Sequence, residues 1–290
     1  MVAVPFEENP DRGLIYAVTN SHVIREGGSP VVRLNTKDGL TDVIPATDAN
    51  WLDHVDGDDL AVCPIGLSQE RHQYKYLLPS LFLTPELVNQ ESIGPGEDTF
   101  LVGRFITHEG RQRNLPSVRF GNIAMMPWEP ITHPTRGIKQ ESFLVESRSI
   151  GGYSGSPVFV WILPFSHRPG AKGYSGGRGP WLLGVDWCHL ANPERVLERD
   201  GKTEVPEGWQ VNSNTGMMGV IPAWRLAELL DRRELVAQRK EQDEELSKRK
   251  AKGGAALDAA DRFTRRDFDR AGKKISHRTQ REPSRPRPPY

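Results

Sequence analysis

Cysteine is scarce in these 290 residues: Cys63 and Cys188 stand far apart and without metal-type spacing. A disulfide framework is therefore not expected, no metal or other cofactor is expected, and a reducing, cytoplasmic setting fits best. No apolar run approaches the length of a membrane-spanning helix, so no membrane is expected as a partner. The opening MVAVPFEENPDRG carries acids and a proline where a secretory signal needs a basic start and an apolar core. Net charge is also missing, with 38 basic side chains against 38 acidic ones, so overall charge points to no partner. Apolar residues make up only 37% and charged ones 26%, and some of the chain is expected to fold poorly. No internal repeat is visible, and strands do not alternate with helices as in βαβ folds.

What is present, up to about residue 226, is a series of short apolar or alternating runs separated by Gly, Pro, Asn and Asp. Strands are predicted over Leu14–Thr19, Val31–Leu34, Leu60–Ile65, Thr99–Phe105, Ser117–Ile123, Phe143–Ser147, Pro157–Leu163, Trp181–Val185 and Met217–Ile221. Many short strands joined by turn signals predict an all-β barrel or sandwich. Phe165–Pro180 is rich in Gly, Ser and Pro, and Ala191–Thr215 is polar; both read as loops. Pro222 suits a helix start, and Ala223–Lys250 is rich in helix formers, with Trp224, Leu226, Leu229, Leu230 and Leu235 placed for docking. The stretch QRKEQDEELSKRK is polar all round and reads as solvated helix or no helix.

Charge becomes informative when divided along the chain. Residues 231–290 hold 18 basic and 11 acidic side chains, leaving 20 and 27 for the first 230. The expected organisation is a folded domain over 1–230, a charged helical extension over 231–252 and a basic, disordered tail over 253–290. Such a tail could meet nucleic acid or another anionic surface weakly, but the reading preferred is a solvated extension without a specific partner.

Three motifs carry chemistry. In VTNSHVI, His22 follows a predicted strand. In DDLAVCPI, Asp59 opens one, at the boundary of solvent and core, where a carboxylate needs a hydrogen-bonding partner such as an imidazole N–H. Asp53, Asp56 and Asp58 compete for that role, but none directly precedes the Leu-Ala-Val run. In GGYSGSPVFV, Ser154 sits in a glycine-rich bend before a strongly apolar strand. Gly151, Gly152 and Gly155 permit backbone conformations closed to other residues. Such a bend can hold a hydroxyl against a base while N–H groups converge on a developing oxyanion. The order His, Asp, Ser differs from Ser, Asp, His in α/β-hydrolases and from Asp, His, Ser in subtilisins.

These motifs resemble those of the trypsin/chymotrypsin-like serine peptidases, whose histidine motif is usually Thr-Ala-Ala-His. DDLAV is similar to the Asp-Leu-Ala form of the bacterial branch, and GYSGSPVF to Gly-x-Ser-Gly-Gly/Ser-Pro. LLGVDW and GMMGVIPAWRL are similar to the strand after the nucleophile and to the closing strand and helix of the high-temperature-requirement branch. The resemblance covers roughly residues 1–230. It implies two six-stranded antiparallel barrels with the site in the crevice between them, and peptide-bond cleavage in polypeptide substrates. It implies Ser154 as nucleophile, His22 as general base, Asp59 as its orienting partner, and the N–H groups of Gly152 and Ser154 as the oxyanion hole.

The chain also departs from the pattern. Tyr153 replaces the aspartate that captures a new N-terminus in digestive proteases, so activation by that salt bridge is not available. The family's disulfides are missing, and the charged C-terminal segment cannot build a PDZ module. Arg148 falls where the specificity pocket is often read, implying acidic substrate side chains, and Trp187 and Cys188 are expected to border the same cleft. Two rival readings are a catalytically silent trypsin-like binding domain and a nucleic-acid adaptor, the latter weakened by the lack of aromatics in residues 274–289. His22 comes early, and the strands before residue 84 fall short of six. The first barrel is therefore expected to be incomplete, with a short opening strand on an exposed edge, the chain beginning inside a longer reading frame, or another segment covering the gap.

Overall fold

The structure, a computed structural model, describes residues 1–27, 30–47, 50–104, 113–133, 137–147, 152–163, 176–198, 201–202, 205 and 208–251. The first part holds β1 (Val2–Pro5), β2 (Gly13–Thr19), a short helix α1 (Ser21–Arg25), β3 (Val31–Thr36), β4 (Thr41–Pro45), β5 (Leu52–Asp53), β6 (Ala61–Ile65) and β7 (His72–Gln73). They form two sheets, ordered β1-β2-β6-β5 and β4-β3-β7. Trp51, Cys63, Ile24 and three alanines make a small core there. Neither sheet closes on itself among the described residues.

Helix α2 (Pro85–Glu91) leads into the second part, with proline in its first turn and the Thr84 hydroxyl accepting from Leu87 N–H. There follow β8 (Asp98–Arg104), β9 (Pro116–Met125), β10 (Ile131–Thr132), β11 (Lys139–Gln140), β12 (Phe143–Ser147), β13 (Pro157–Ile162), β14 (Arg178–Arg195) and β15 (Gln210–Pro222). Six of these close into a barrel in the order β12-β15-β14-β13-β8-β9, while β10 and β11 pair as a ribbon. In β13 alternation is strict: Val158, Val160 and Ile162 are buried, while Pro157, Phe159 and Trp161 point outward. Leu101, Ile123, Phe143, Val145 and Val220 complete the interior from the other strands. Each such aliphatic side chain contributes roughly 1.5–3 kcal/mol by leaving water. The fold is mostly β with a few helices, and of the two expected barrels one closed six-stranded barrel is present among the described residues.

Three local expectations need correction. Ala191–Thr215 is not simply a loop: β14 and β15 continue as a hairpin with Ala191 opposite Asn214 and Glu194 opposite Val211. A ribbon exposed on both faces has no apolar alternation to betray it in sequence. At the end of the segment expected as loop over Phe165–Pro180, Arg178–Pro180 already belong to β14; residues 164–175 lie outside the described ones. The single helix expected over Ala223–Lys250 is two, α3 (Ala223–Leu230) and α4 (Arg233–Ala251). The break falls where Arg232 turns to donate to the Asp53 carbonyl at 2.6 Å.

The opening strand is short and lies at the edge of its sheet, yet the edge is not exposed. Val2 and Ala3 are buried, and Ala3 N–H donates to the Leu77 carbonyl at 2.8 Å while Leu77 N–H donates to Met1 at 3.0 Å. A later segment covers that edge.

The chain divides into two compact units, Met1–Val4 with Ile15–Val236, and Pro5–Leu14 with the described residues from 237 onward. In the second unit Asp243 of α4 accepts from Asn9 Nδ2 at 2.5 Å and from Glu8 N–H at 2.8 Å. One side of the polar helix is therefore occupied, not solvated throughout. The tail over 253–290 lies outside the described residues.

Candidate functional site

Strand β2 ends at Thr19, and α1 starts two residues later, so His22 sits in the first turn of a helix with unpaired N–H groups. The carboxylate of Asp59, arriving just ahead of β6, meets that turn. Its Oδ1 accepts from His22 N–H at 2.9 Å, and its Oδ2 lies 2.5 Å from His22 Nδ1. A carboxylate accepts, so the imidazole proton resides on Nδ1 and the Nε2 lone pair is left available. The Asp59 side chain is only 4% exposed, that of His22 16%. A buried carboxylate of this kind needs several donors, and it has them.

Asp59 is fixed from both sides of its backbone. Its N–H donates to Gln140 Oε1 at 2.9 Å, and its carbonyl accepts from Asn20 Nδ2 at 2.8 Å. Both partners are fully buried. Asn20 lies within the histidine motif VTNSHVI and was in principle visible there. Gln140, on β11, is 81 residues away from Asp59 and carries no sequence signal.

The neighbouring aspartates are engaged elsewhere. Asp53 accepts from the Ser21 hydroxyl at 2.8 Å and pairs with Arg25 at 2.6 Å. Asp56 pairs with Arg225 at 2.9 Å, and Asp58 bonds the Nε of the same guanidinium. Glu228 joins Arg225 at 2.6 Å. His54, Asp56 and Glu228 lie close enough to hold a metal ion. However, Arg225 already supplies the positive charge there, and His54 Nδ1 accepts from Asp56 N–H at 3.3 Å, leaving the proton on Nε2. The group is an ion-pair network that clamps the chain just before Asp59.

Ser154 lies in the turn that leads into β13. Gly152 has φ +96° and Gly155 φ +85°, conformations that favour glycine. Gly155 also backs onto Thr19, where a Cβ would overlap the hydroxyl oxygen. The serine turn and the end of β2, three residues before His22, are thus in direct contact. Gly155 N–H donates to the Asp186 carbonyl at 2.8 Å, and Ser156 N–H to Tyr153 at 2.9 Å. The N–H groups of Gly152 and Ser154 make no hydrogen bond to any described residue. Nor does the Ser154 hydroxyl bond to His22 among the described residues.

Two further residues support this turn and escaped the sequence reading as supports. Tyr153 is buried, its hydroxyl accepting from Arg119 Nε at 2.8 Å and lying 3.0 Å from the Ser117 hydroxyl. It anchors the bend from the barrel interior. Asp186, on β14, returns an N–H to the Ser156 carbonyl at 3.0 Å. Burial pushes its carboxyl up to about 8, so it is neutral at pH 7.

Of the residues expected to border a substrate cleft, Trp187 and Cys188 are both buried, side by side against Gly219. Trp187 donates to the Ser142 hydroxyl at 2.8 Å and tilts against His133. Arg148 and Gly151 lie outside the described residues.

No helix among the described residues is long and apolar enough to cross a membrane. Comparison with known proteins returns no matching family model and no matching curated protein.

Proposed function

We infer that the chain is a serine endopeptidase of the trypsin-like type, acting on polypeptides through an acyl-enzyme. Ser154 Oγ attacks the scissile carbonyl, and His22 Nε2 takes its proton and returns it to the leaving amine. Asp59 holds the tautomer and stabilises the imidazolium. The open N–H groups of Gly152 and Ser154 face the developing oxyanion. In this reading the open β1–β7 half stands for the family's first barrel and the closed barrel for its second. Both cysteines are free and buried, which suits a reducing, cytoplasmic compartment.

The observation that carries the proposal is the buried Asp59 carboxylate, bonded to both the backbone and the ring of His22. The contact of Gly155 with Thr19 brings the serine turn to the same place. A fluorophosphonate probe is expected to label the parent chain at Ser154 and to leave Ser154→Ala unlabelled. Each of Ser154→Ala and His22→Ala should lower peptide hydrolysis by about 10⁴- to 10⁶-fold, with the double variant little worse.

A second reading, a trypsin-like binding domain with a silent site, is favoured by one observation, the lack of a hydrogen bond between Ser154 and His22. Catalytic hydrogen bonds often tighten only with substrate bound. Absence of both labelling and turnover in the folded parent would decide for the silent domain.

A further inference from the structure

The outer face of the closed barrel carries an apolar strip where β9, β8, β13 and β14 run side by side. Register places Phe120 opposite Phe100 and Phe100 opposite Phe159, a ladder of three phenylalanines across three strands. The rings of Phe100 and Phe159 stack at 4.9 Å, and Phe120 follows at 6.4 Å. Phe120 is 74% exposed and Val118, on the same face, 52%. Cross-strand aromatic pairs stabilise a sheet, but they do not require that its outer edge stay in water.

At its other end the ladder enters a cavity. Phe159 forms part of the wall, with Leu182, Val102 and Pro157 from the barrel, Val18 from β2 and Leu226 from α3. The volume is about 290 Å³, near the lower end for small-molecule sites. One charged side chain borders it: Lys75, exposed, and in no ion pair among the described residues. Small polar ligands find few partners in such a wall. A compact apolar ligand would leave the ladder unused. A single flexible hydrocarbon chain with an anionic end accounts for all three features, the half-open apolar volume, the strip leading from it and an ammonium in no ion pair among the described residues.

We propose that this cavity and the phenylalanine strip form a binding site for a free single-chain carboxylate amphiphile of the fatty-acid class, with Lys75 meeting its carboxylate. The site does not depend on the peptidase reading, and its test reads binding alone. The wall nevertheless includes Gly155 and Pro157, one and three residues after Ser154, so an occupant lies directly behind the serine turn.

Decanoate and hexadecanoate, titrated calorimetrically into the full chain below their micellar concentrations, are expected to bind at one site. In the parent chain, decanoate should shift the amide signals of Val18, Gly155 and Leu226. Lys75→Glu should weaken decanoate about fivefold and leave 1-decanol unchanged. Val102→Trp, filling the cavity, should abolish binding of both while the circular dichroism spectrum is retained. Phe120→Ser should weaken hexadecanoate roughly tenfold and decanoate little, since only the longer chain reaches the strip. The proposal is overturned if decanoate shifts none of those amides, or if folded Val102→Trp binds it as well as the parent. It is equally overturned if the chain sediments with phosphatidylglycerol vesicles but binds neither free acid.

Discussion

At the scale of single residues the candidate site rests on groups that have few alternatives. Gly155 combines a positive φ with direct contact on Thr19, so two independent terms oppose any side chain there. Gly155→Ala is expected to lower stability by about 2 kcal/mol or more in urea unfolding. Adding Thr19→Ala should recover the steric part and leave the conformational part. A neutral Gly155→Ala would mean that the turn is not held against β2. Asp186 offers a test in pH. Its folded pKa of about 8 lies above the usual carboxylate value of 3.8. Between those values the folded chain holds a proton that the unfolded chain has lost. Stability linked to this group is therefore greatest at low pH, falls as pH rises from about 4 to 8, and levels off above. Asp186→Asn removes that slope and should raise Tm at pH 7 more than at pH 4. An unchanged pH profile in the variant would show that the carboxyl is not buried as described.

At the scale of elements, α3 does more than cover the barrel. Leu226, Leu229 and Leu230 are buried, while Arg225 on the same helix reaches Asp56, Asp58 and Glu228. The helix thereby holds the loop between β5 and β6, which carries Asp59 two residues before β6 begins. Arg225→Ala leaves three carboxylates close together without their cation. It should cost about 1–2 kcal/mol of stability and, in the peptidase reading, lower kcat more than it raises KM. Arg225→Lys should recover part of the stability but less of kcat, because a point charge cannot bond Asp56 and Asp58 through separate nitrogens as the guanidinium does. A loss in KM alone would show that the clamp serves substrate binding and not Asp59.

For the whole molecule, the contrast is between a closed barrel and two open sheets. A closed sheet has no edge strand from which exchange can begin, whereas β4-β3-β7 has two among the described residues. Amide exchange should be slowest for Leu101, Val145, Val158 and Val220 in the barrel and faster for Val32 and Leu34 on β3. His22, Asp59 and Ser154 all belong to the unit Met1–Val4 with Ile15–Val236. In the peptidase reading, deleting residues 253–290 is accordingly expected to leave kcat/KM on a short peptide within a few-fold. A hundredfold loss would show that the tail completes the site.

The sequence alone determined the class of fold and the three motifs. Strand segments such as Phe143–Ser147 and Pro157–Ile162 announce themselves, because a barrel strand with one face inward must alternate. The glycines around Ser154 are equally legible, since positive φ leaves little other choice. Closure was not legible, because it depends on which strands pair, and β12 with β9 or β8 with β13 are pairings between distant segments. Which aspartate meets His22 was only ranked by sequence; tertiary structure decided it by drawing Asp56 and Asp58 to Arg225 and Asp53 to Arg25. Gln140 and Tyr153 act through contacts made only after the chain has folded, and a local pattern cannot carry such contacts. The hairpin over Ala191–Thr215 and the cover that Leu77 gives to β1 were hidden for the same reason: backbone pairing there proceeds without an apolar pattern to record it.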